Sequence, residues 1–325
     1  MKPGRLRSVK ILPGLALLCL NFLSGSAQTG RAVTASAYLA RGNGWFAKGE
    51  YARAESDFTL AIATDPNSAD AFYNRAIVRI QIGKLEEALR DYDRALQLNP
   101  RLVEAWVNRG AVRGKLRDLE GAIRDANQAL ALNPKLAQAW GNRGWARGTQ
   151  GDYAGALADL DRAIKLGVRG ADIYNTRGVT RFHLGDDAGA INDQTQAIKL
   201  EPNFVEAWNC RGAARQFKGD LDGALNDYNQ ALKLNPRFAD AWFNRGTLWK
   251  RKGALARAEA DFTAVIALQP QRANAYAQRG VARLIQGRAA EAHRDFDQCL
   301  ALDSDLRESV EKMIAEAQRH PGAKP

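Results

Sequence analysis

Prolines at 66, 100, 134, 202, 236 and 270 are separated by 34 residues or by twice 34. A fixed period of that size constrains a chain more than its composition does. Each period must be one supersecondary unit, and each unit buries its apolar face only by stacking on its neighbours. The place at 168 holds Val168, and the next place after 270 holds Ser304. The register runs without insertion through eight units: 35–68, 69–102, 103–136, 137–170, 171–204, 205–238, 239–272 and 273–306.

Superimposing the units shows what each column requires. Position 4 is aromatic throughout: Tyr38, Phe72, Trp106, Trp140, Tyr174, Trp208, Trp242 and Tyr276. Position 8 is Gly except Ala76, position 15 is Gly except Arg117, and position 20 is always Ala. Position 27 is Ala except Val265 and Cys299. A helix-competent stretch, a glycine turn, a second such stretch and an Asn-Pro break predict helix–turn–helix in every unit. Small residues at 8, 20 and 27 allow close helix approach, and the aromatics fill the space between pairs.

This pattern resembles the tetratricopeptide repeat family, over 272 of the 325 residues. The resemblance implies an all-α, right-handed α-solenoid of eight 34-residue helix–turn–helix repeats, with the first helices lining a concave groove. One departure stands out. The family's usual leucine at position 7 and tyrosine at position 11 are mostly arginine here. Beyond Leu306, an apolar face of Val310, Met313, Ile314 and Ala317 opposes Glu308, Glu311, Lys312, Glu316 and Arg319. Residues 307–319 are therefore expected to form a capping helix on the last repeat, with 320–325 as a tail.

Position 7 is arginine and position 23 aspartate in every unit. The arginine lies on the face turned to the second helix, so structural ion pairs are expected within the repeats. They would be Arg75–Asp91, Arg109–Asp125, Arg143–Asp159, Arg177–Asp193, Arg211–Asp227 and Arg245–Asp261. Arg79, Arg113, Arg147, Arg181, Arg215 and Arg283 follow at position 11. They either share the same aspartates or form a basic file that holds a polyanion or an anionic envelope ligand. Steep salt dependence would mark the second case.

On the helical wheel, positions 2, 5, 6, 9, 12 and 13 face away from the packed side. Position 6 is Asn74, Asn108, Asn142 and Asn244. An asparagine offers both donor and acceptor, so such a row can bond an extended peptide backbone. The resemblance adds that peptide-binding members of the family use asparagines in this way. The alternative is a bond to an adjacent helix. Tyr73, Trp145, Phe182, Phe217 and Phe243 fall on the same face, as a recognition patch or as contacts to the next repeat. Acids at position 2 alternate with basic residues such as Lys115 and Arg251, so the groove is mixed in charge. Positions 2 and 5 carry no Lys or Arg, which sets aside the resemblance's mode of gripping acidic chaperone tails.

The N-terminus reads as an address. Lys2, Arg5, Arg7 and Lys10 precede an apolar run over 11–23, and the small residues 24–27 follow. This is the layout of a secretory signal peptide over 1–27, cleaved near Ala27, with 28–34 as a linker. An uncleaved anchor is the alternative. The mature protein is expected to be periplasmic or secreted, with no membrane span. The full chain's net charge of +11, part of it in that leader, is weak ground for nucleic-acid binding.

Nothing points to catalysis. The three histidines are far apart in the sequence, and no Cys/His cluster has metal spacing. The glycines belong to the repeat rather than to a phosphate loop. No cofactor and no metal are expected, and Cys210 and Cys299 are expected to be unpaired. Val168, with Gly167 and Gly170 beside it, marks the most flexible joint, which limited proteolysis at 167–171 would reveal. The reading is a non-catalytic scaffold that binds an extended peptide or a protein partner.

Overall fold

A computed structural model describes residues 33–319. The expected leader, most of the linker and the tail lie outside the described residues. Among the described residues there are seventeen α-helices, one short 3-10 turn and no strand. The chain divides into two compact units at Thr180/Arg181, inside helix α9 (Ala171–His183).

The first unit contains four hairpins and the start of α9. They are α1 (Ala35–Ala47) with α2 (Tyr51–Thr64), α3 (Ala69–Gln81) with α4 (Leu85–Leu98), α5 (Val103–Lys115) with α6 (Leu119–Leu132), and α7 (Ala137–Gln150) with α8 (Tyr153–Lys165). Helices α2, α4 and α6 pack on α3, α5 and α7, and α8 packs on Ile173 at the start of α9. In the second unit α10 (Asp187–Leu200) packs on α11 (Val205–Lys218), which pairs with α12 (Leu221–Leu234). Then come α13 (Ala239–Arg251) with α14 (Leu255–Leu268), and α15 (Ala273–Ile285) with α16 (Ala289–Leu302). The 3-10 turn Ser304–Leu306 leads into α17 (Arg307–Arg319).

The sequence fixes where each helix stops. Position 15 ends the first helix in the left-handed region, and Arg117 adopts the same conformation at φ 68° where the other repeats have glycine. The repeat thus keeps its turn at the expense of about 1 kcal/mol of backbone strain. Asp118, Asp152, Asp186 and Asp220 then cap the second helices, accepting from Gly121, Gly155, Gly189 and Gly223 N–H. At the far end, Asn99, Asn133 and Asn235 are extended, and each side chain accepts from the N–H two residues on. Repeat four differs. Gly167 takes φ 110°, and Val168 N–H closes on Ala163 carbonyl at 3.1 Å. With neither asparagine nor proline at this joint, the helix ends in a glycine C-cap instead of an Asn-Pro turn.

The core lies inside and between the hairpins. Alanines at positions 20 and 27 are buried, and a large side chain from position 24 covers the position 8 glycine. A Cβ at Gly212 would stand 2.7 Å from the Tyr228 ring, so this packing requires glycine. Position 24 of repeat three is the small Ala126, and nearby Gly114 lies under Trp145 of the next repeat. Helix α17 starts 34 residues after α15 and occupies the place of a ninth first helix. It buries Val310 and Ala317 with Phe296 and Cys299, while Met313 stands where the other repeats carry the position 7 arginine. Cys210 and Cys299 are free thiols.

Candidate binding surface

Every position 7 arginine approaches the aromatic ring three residues before it, from 4.6 Å for Arg109 over Trp106 to 5.7 Å for Arg75 over Phe72. Nε and Nη2 of Arg41, Arg75, Arg109, Arg143, Arg211, Arg245 and Arg279 grip the position 23 aspartate as a fork. The two distances are 2.9 and 2.7 Å for Arg75–Asp91, and 2.9 and 2.6 Å for Arg109–Asp125. They are 2.8 and 2.8 Å for Arg143–Asp159, 3.0 and 2.8 Å for Arg211–Asp227, and 2.8 and 2.8 Å for Arg245–Asp261. Arg177 donates to Asp161 at 2.7 Å, and Asp193 accepts from Arg181 at 2.8 Å. Burial opposes the charge of Arg109, but Asp125 and Asp93 outweigh it and raise the guanidinium above its ordinary value.

The position 11 arginines share these aspartates. Arg79, Arg113, Arg147, Arg215 and Arg283 donate to Asp91, Asp125, Asp159, Asp227 and Asp295 at 2.8–2.9 Å. Sequence reasoning missed a third partner. From the second repeat on, Nη1 of the position 7 arginine reaches back to position 25 of the preceding repeat: Thr59, Asp93, Asn127, Asp161, Thr195, Asn229 or Thr263. One guanidinium therefore ties its own hairpin together and ties it to the one before. The signal was available, since that column holds only small polar acceptors. The Asn-Pro turn has a matching role: Trp106, Trp140, Trp208 and Trp242 donate Nε1–H to the carbonyl of Pro100, Pro134, Pro202 and Pro236 at 2.8–2.9 Å.

The position 6 asparagines all donate to the preceding hairpin. Asn74 bonds Asn43 Oδ1 at 3.1 Å, Asn108 the Tyr73 hydroxyl at 3.2 Å, Asn142 the Val107 carbonyl at 3.5 Å and Asn244 Asn209 Oδ1 at 2.9 Å. The amides are thus oriented by the stack. Among the described residues no donor meets their carbonyl oxygens.

The five aromatics of this face separate into two groups. Tyr73, Trp145 and Phe243 serve the packing. Tyr73 lies 6.0 Å from the Tyr92 ring, and burial pushes its phenol up to about 12. Trp145 lies against Gly114, with its Nε1 buried and unbonded. Phe243 lies 5.6 Å from Phe262, under the Arg272 guanidinium. Phe182 and Phe217 are different: their rings meet edge to face at 5.0 Å, and Phe217 remains 64% exposed. Lys250 is a further group that the sequence did not single out. Its Nζ donates to Gln278 Oε1 at 2.5 Å, and burial lowers its pKa. The described histidines, His183 and His293, lie on α9 and α16, and no three metal-ligating side chains converge among the described residues.

Two-helix hairpins stacked on a 34-residue period define a helical-repeat solenoid. Models of the tetratricopeptide repeat match residues 69–102, 103–136 and 142–203, and a TPR repeat model matches 218–253. The chain belongs to the tetratricopeptide-repeat family. No curated protein matches it in sequence. Among solved structures, the fold is similar to a chain of the APC/C hetero-tetramer Cut9–Hcn1, with TM-score 0.65 and 16% identity. That match covers 86% of this chain and 55% of the other, so this chain spans little more than half of that relative. A tetratricopeptide repeat protein from Parabacteroides merdae matches with TM-score 0.59 and 19% identity, covering 76% of this chain and 98% of its own. Pseudomonas aeruginosa pilF matches with TM-score 0.56 and 19% identity, covering 64% and 94%. These likenesses concern the fold.

Proposed function

We propose that the protein is a non-catalytic scaffold of an exported compartment, periplasmic or secreted, that holds an extended peptide or a protein partner on the face made by its first helices. The observation that carries this reading is the row Asn74, Asn108, Asn142 and Asn244. Each amide is oriented by its bond to the preceding hairpin, and its carbonyl oxygen is left for a backbone N–H. The family membership supports a protein partner, and the leader pattern at 1–27 supports export. The competing polyanion reading needs free arginines. Those at positions 7 and 11 are engaged with carboxylates, which favours the peptide.

The test is affinity capture from an envelope extract. The baits are the mature protein and a variant carrying Asn74→Ala, Asn108→Ala and Asn142→Ala, matched for thermal unfolding. A protein held by the first bait and lost from the second is the expected result. Equal capture, or only polyanionic material that salt releases, would sink the reading. The mass of the secreted chain checks the export step, with Gln28 as the expected first residue.

A further inference from the structure

The ends of the first helices in repeats five to seven carry two aromatic rings in contact and cations beside them. Phe182 and Phe217 meet edge to face at 5.0 Å, each the last residue but one of its helix, α9 and α11. Leu184 is 46% exposed, just beyond Phe182. Exposed apolar side chains occur singly on most surfaces, but two rings and a leucine together form a patch. The cations beside them complete it. Lys218, next to Phe217, closes α11, and Arg251 closes α13 and donates Nη1 to the Gln216 carbonyl at 3.0 Å. Neither has a carboxylate within 4 Å among the described residues. The arginines at position 7 are bound to acids, whereas these two cations are not. Helix C-termini favour positive charge, which accounts for a basic residue at each end. The neighbouring Lys252 is neutralised by Asp222 at 2.6 Å.

We infer that this patch seats an acidic segment of a partner protein, in which a large apolar side chain lies within a few residues of Asp or Glu. The apolar side chain packs on the Phe182–Phe217 pair, and the carboxylates meet Arg251 and Lys218. The inference rests on the peptide-binding reading above and adds where on the protein the partner is anchored and what chemistry it carries. Of the acids at the starts of the adjoining second helices, Asp186 and Asp220 are engaged as helix caps and Asp222 is paired with Lys252. An anionic membrane is the other outcome of the test.

The experiment is selection of a displayed library of random twelve-residue peptides on the mature protein, followed by affinity measurement on three variants. The expected result is enrichment of peptides that combine a bulky apolar residue with nearby Asp or Glu. Phe217→Ala should then weaken their binding about tenfold, as expected for loss of an anchor. Arg251→Glu should weaken it similarly and shift a repeated selection from acidic to basic peptides. Since both side chains are near the surface, unchanged melting curves will show that the fold is intact. Asn108→Ala reports on the asparagine row. Selected peptides that respond to Asn108→Ala but not to Phe217→Ala or Arg251→Glu would overturn this inference and leave the groove reading standing. Selection of no peptide would overturn both. Binding to phosphatidylcholine–phosphatidylglycerol vesicles, lost in Phe217→Ala, with no peptide enriched, would replace the partner protein by a membrane.

Discussion

The position 7 arginines and Arg251 are the same residue type on the same set of helices, yet they are used in opposite ways. Arg109 has a ring against it at 4.6 Å, a forked aspartate on one edge and Asp93 of the preceding repeat on the other. Its charge is satisfied within the stack, and its position is dictated from three sides. Arg251 touches one backbone carbonyl, with Phe217 next to that residue in sequence. The difference is one of placement on the helix. Position 7 faces the second helix, where a carboxylate is supplied eight times over. Position 13 lies past the packing, where Arg251 meets a backbone carbonyl and, among the described residues, no carboxylate. A cation confined from three sides determines structure, whereas one left without a carboxylate can answer to another molecule.

The comparison predicts a hierarchy of effects. The largest belongs to Asp125→Ala, which takes the buried carboxylate from Arg109 and Arg113 and leaves them only Asp93 and Asp118. It should cost about 3–5 kcal/mol in urea unfolding, the penalty for breaking a buried pair from one side. A cost below about 1 kcal/mol would mean the arginine file is not structural. Next is Lys250, a half-buried cation whose ammonium donates to the neutral Gln278. Burial lowers its pKa below 10.5, with Glu316 opposing the shift. The charged form therefore costs stability at neutral pH, and the cost fades as pH rises from the lowered folded value toward 10.5. Lys250→Met should stabilise by about 1 kcal/mol at neutral pH, with the gain shrinking above that folded value.

Glu55 and Glu259 sharpen the comparison through pH. Burial alone would raise both carboxyls. Hydrogen bonds from Lys84 and Arg79 to the first, and from Arg283, Arg288 and Gln286 to the second, outweigh burial and hold both below 4.5. Their folded pKa values are depressed, so their contribution is present above 4.5 and is lost as pH falls below it through the folded values. Glu55→Gln and Glu259→Gln should flatten the acid limb of a Tm–pH curve, and an unchanged limb would contradict the assignment. The smallest effect is Phe217→Ala, expected to alter stability by less than about 0.5 kcal/mol because the ring is already in water. A larger loss would make Phe217 part of the packing.

How much of this was legible in the sequence depends on how local the cause is. The period, the aromatic and glycine columns and the Arg–Asp pairing are set within one repeat, so a single unit multiplied eight times displays them. Position 25 acts on the next repeat, and its meaning emerges only when two hairpins are stacked. The asparagines illustrate the same limit. Position 6 looks outward on one helix, but the preceding hairpin lies within reach of Asn74 and Asn244 and takes one donor from each. Trp145 was legible only in combination: the small Ala126 and Gly114 make room for an indole from the following repeat. Gly167 and Val168 marked a different joint in the sequence. The structure supplies its form, a glycine C-cap in which Arg169 also donates to the Val168 carbonyl at 2.9 Å.

Amide hydrogen exchange with and without the tightest selected peptide tests the division between the two kinds of arginine most directly. New protection should centre on residues 182–184, 216–219 and 250–252. The second helices α4, α6 and α8, which carry the arginines' partners Asp91, Asp125 and Asp159, should exchange as they do in the free protein. Protection concentrated on those aspartate-bearing helices, with the Phe182–Phe217 ends unchanged, would contradict the account.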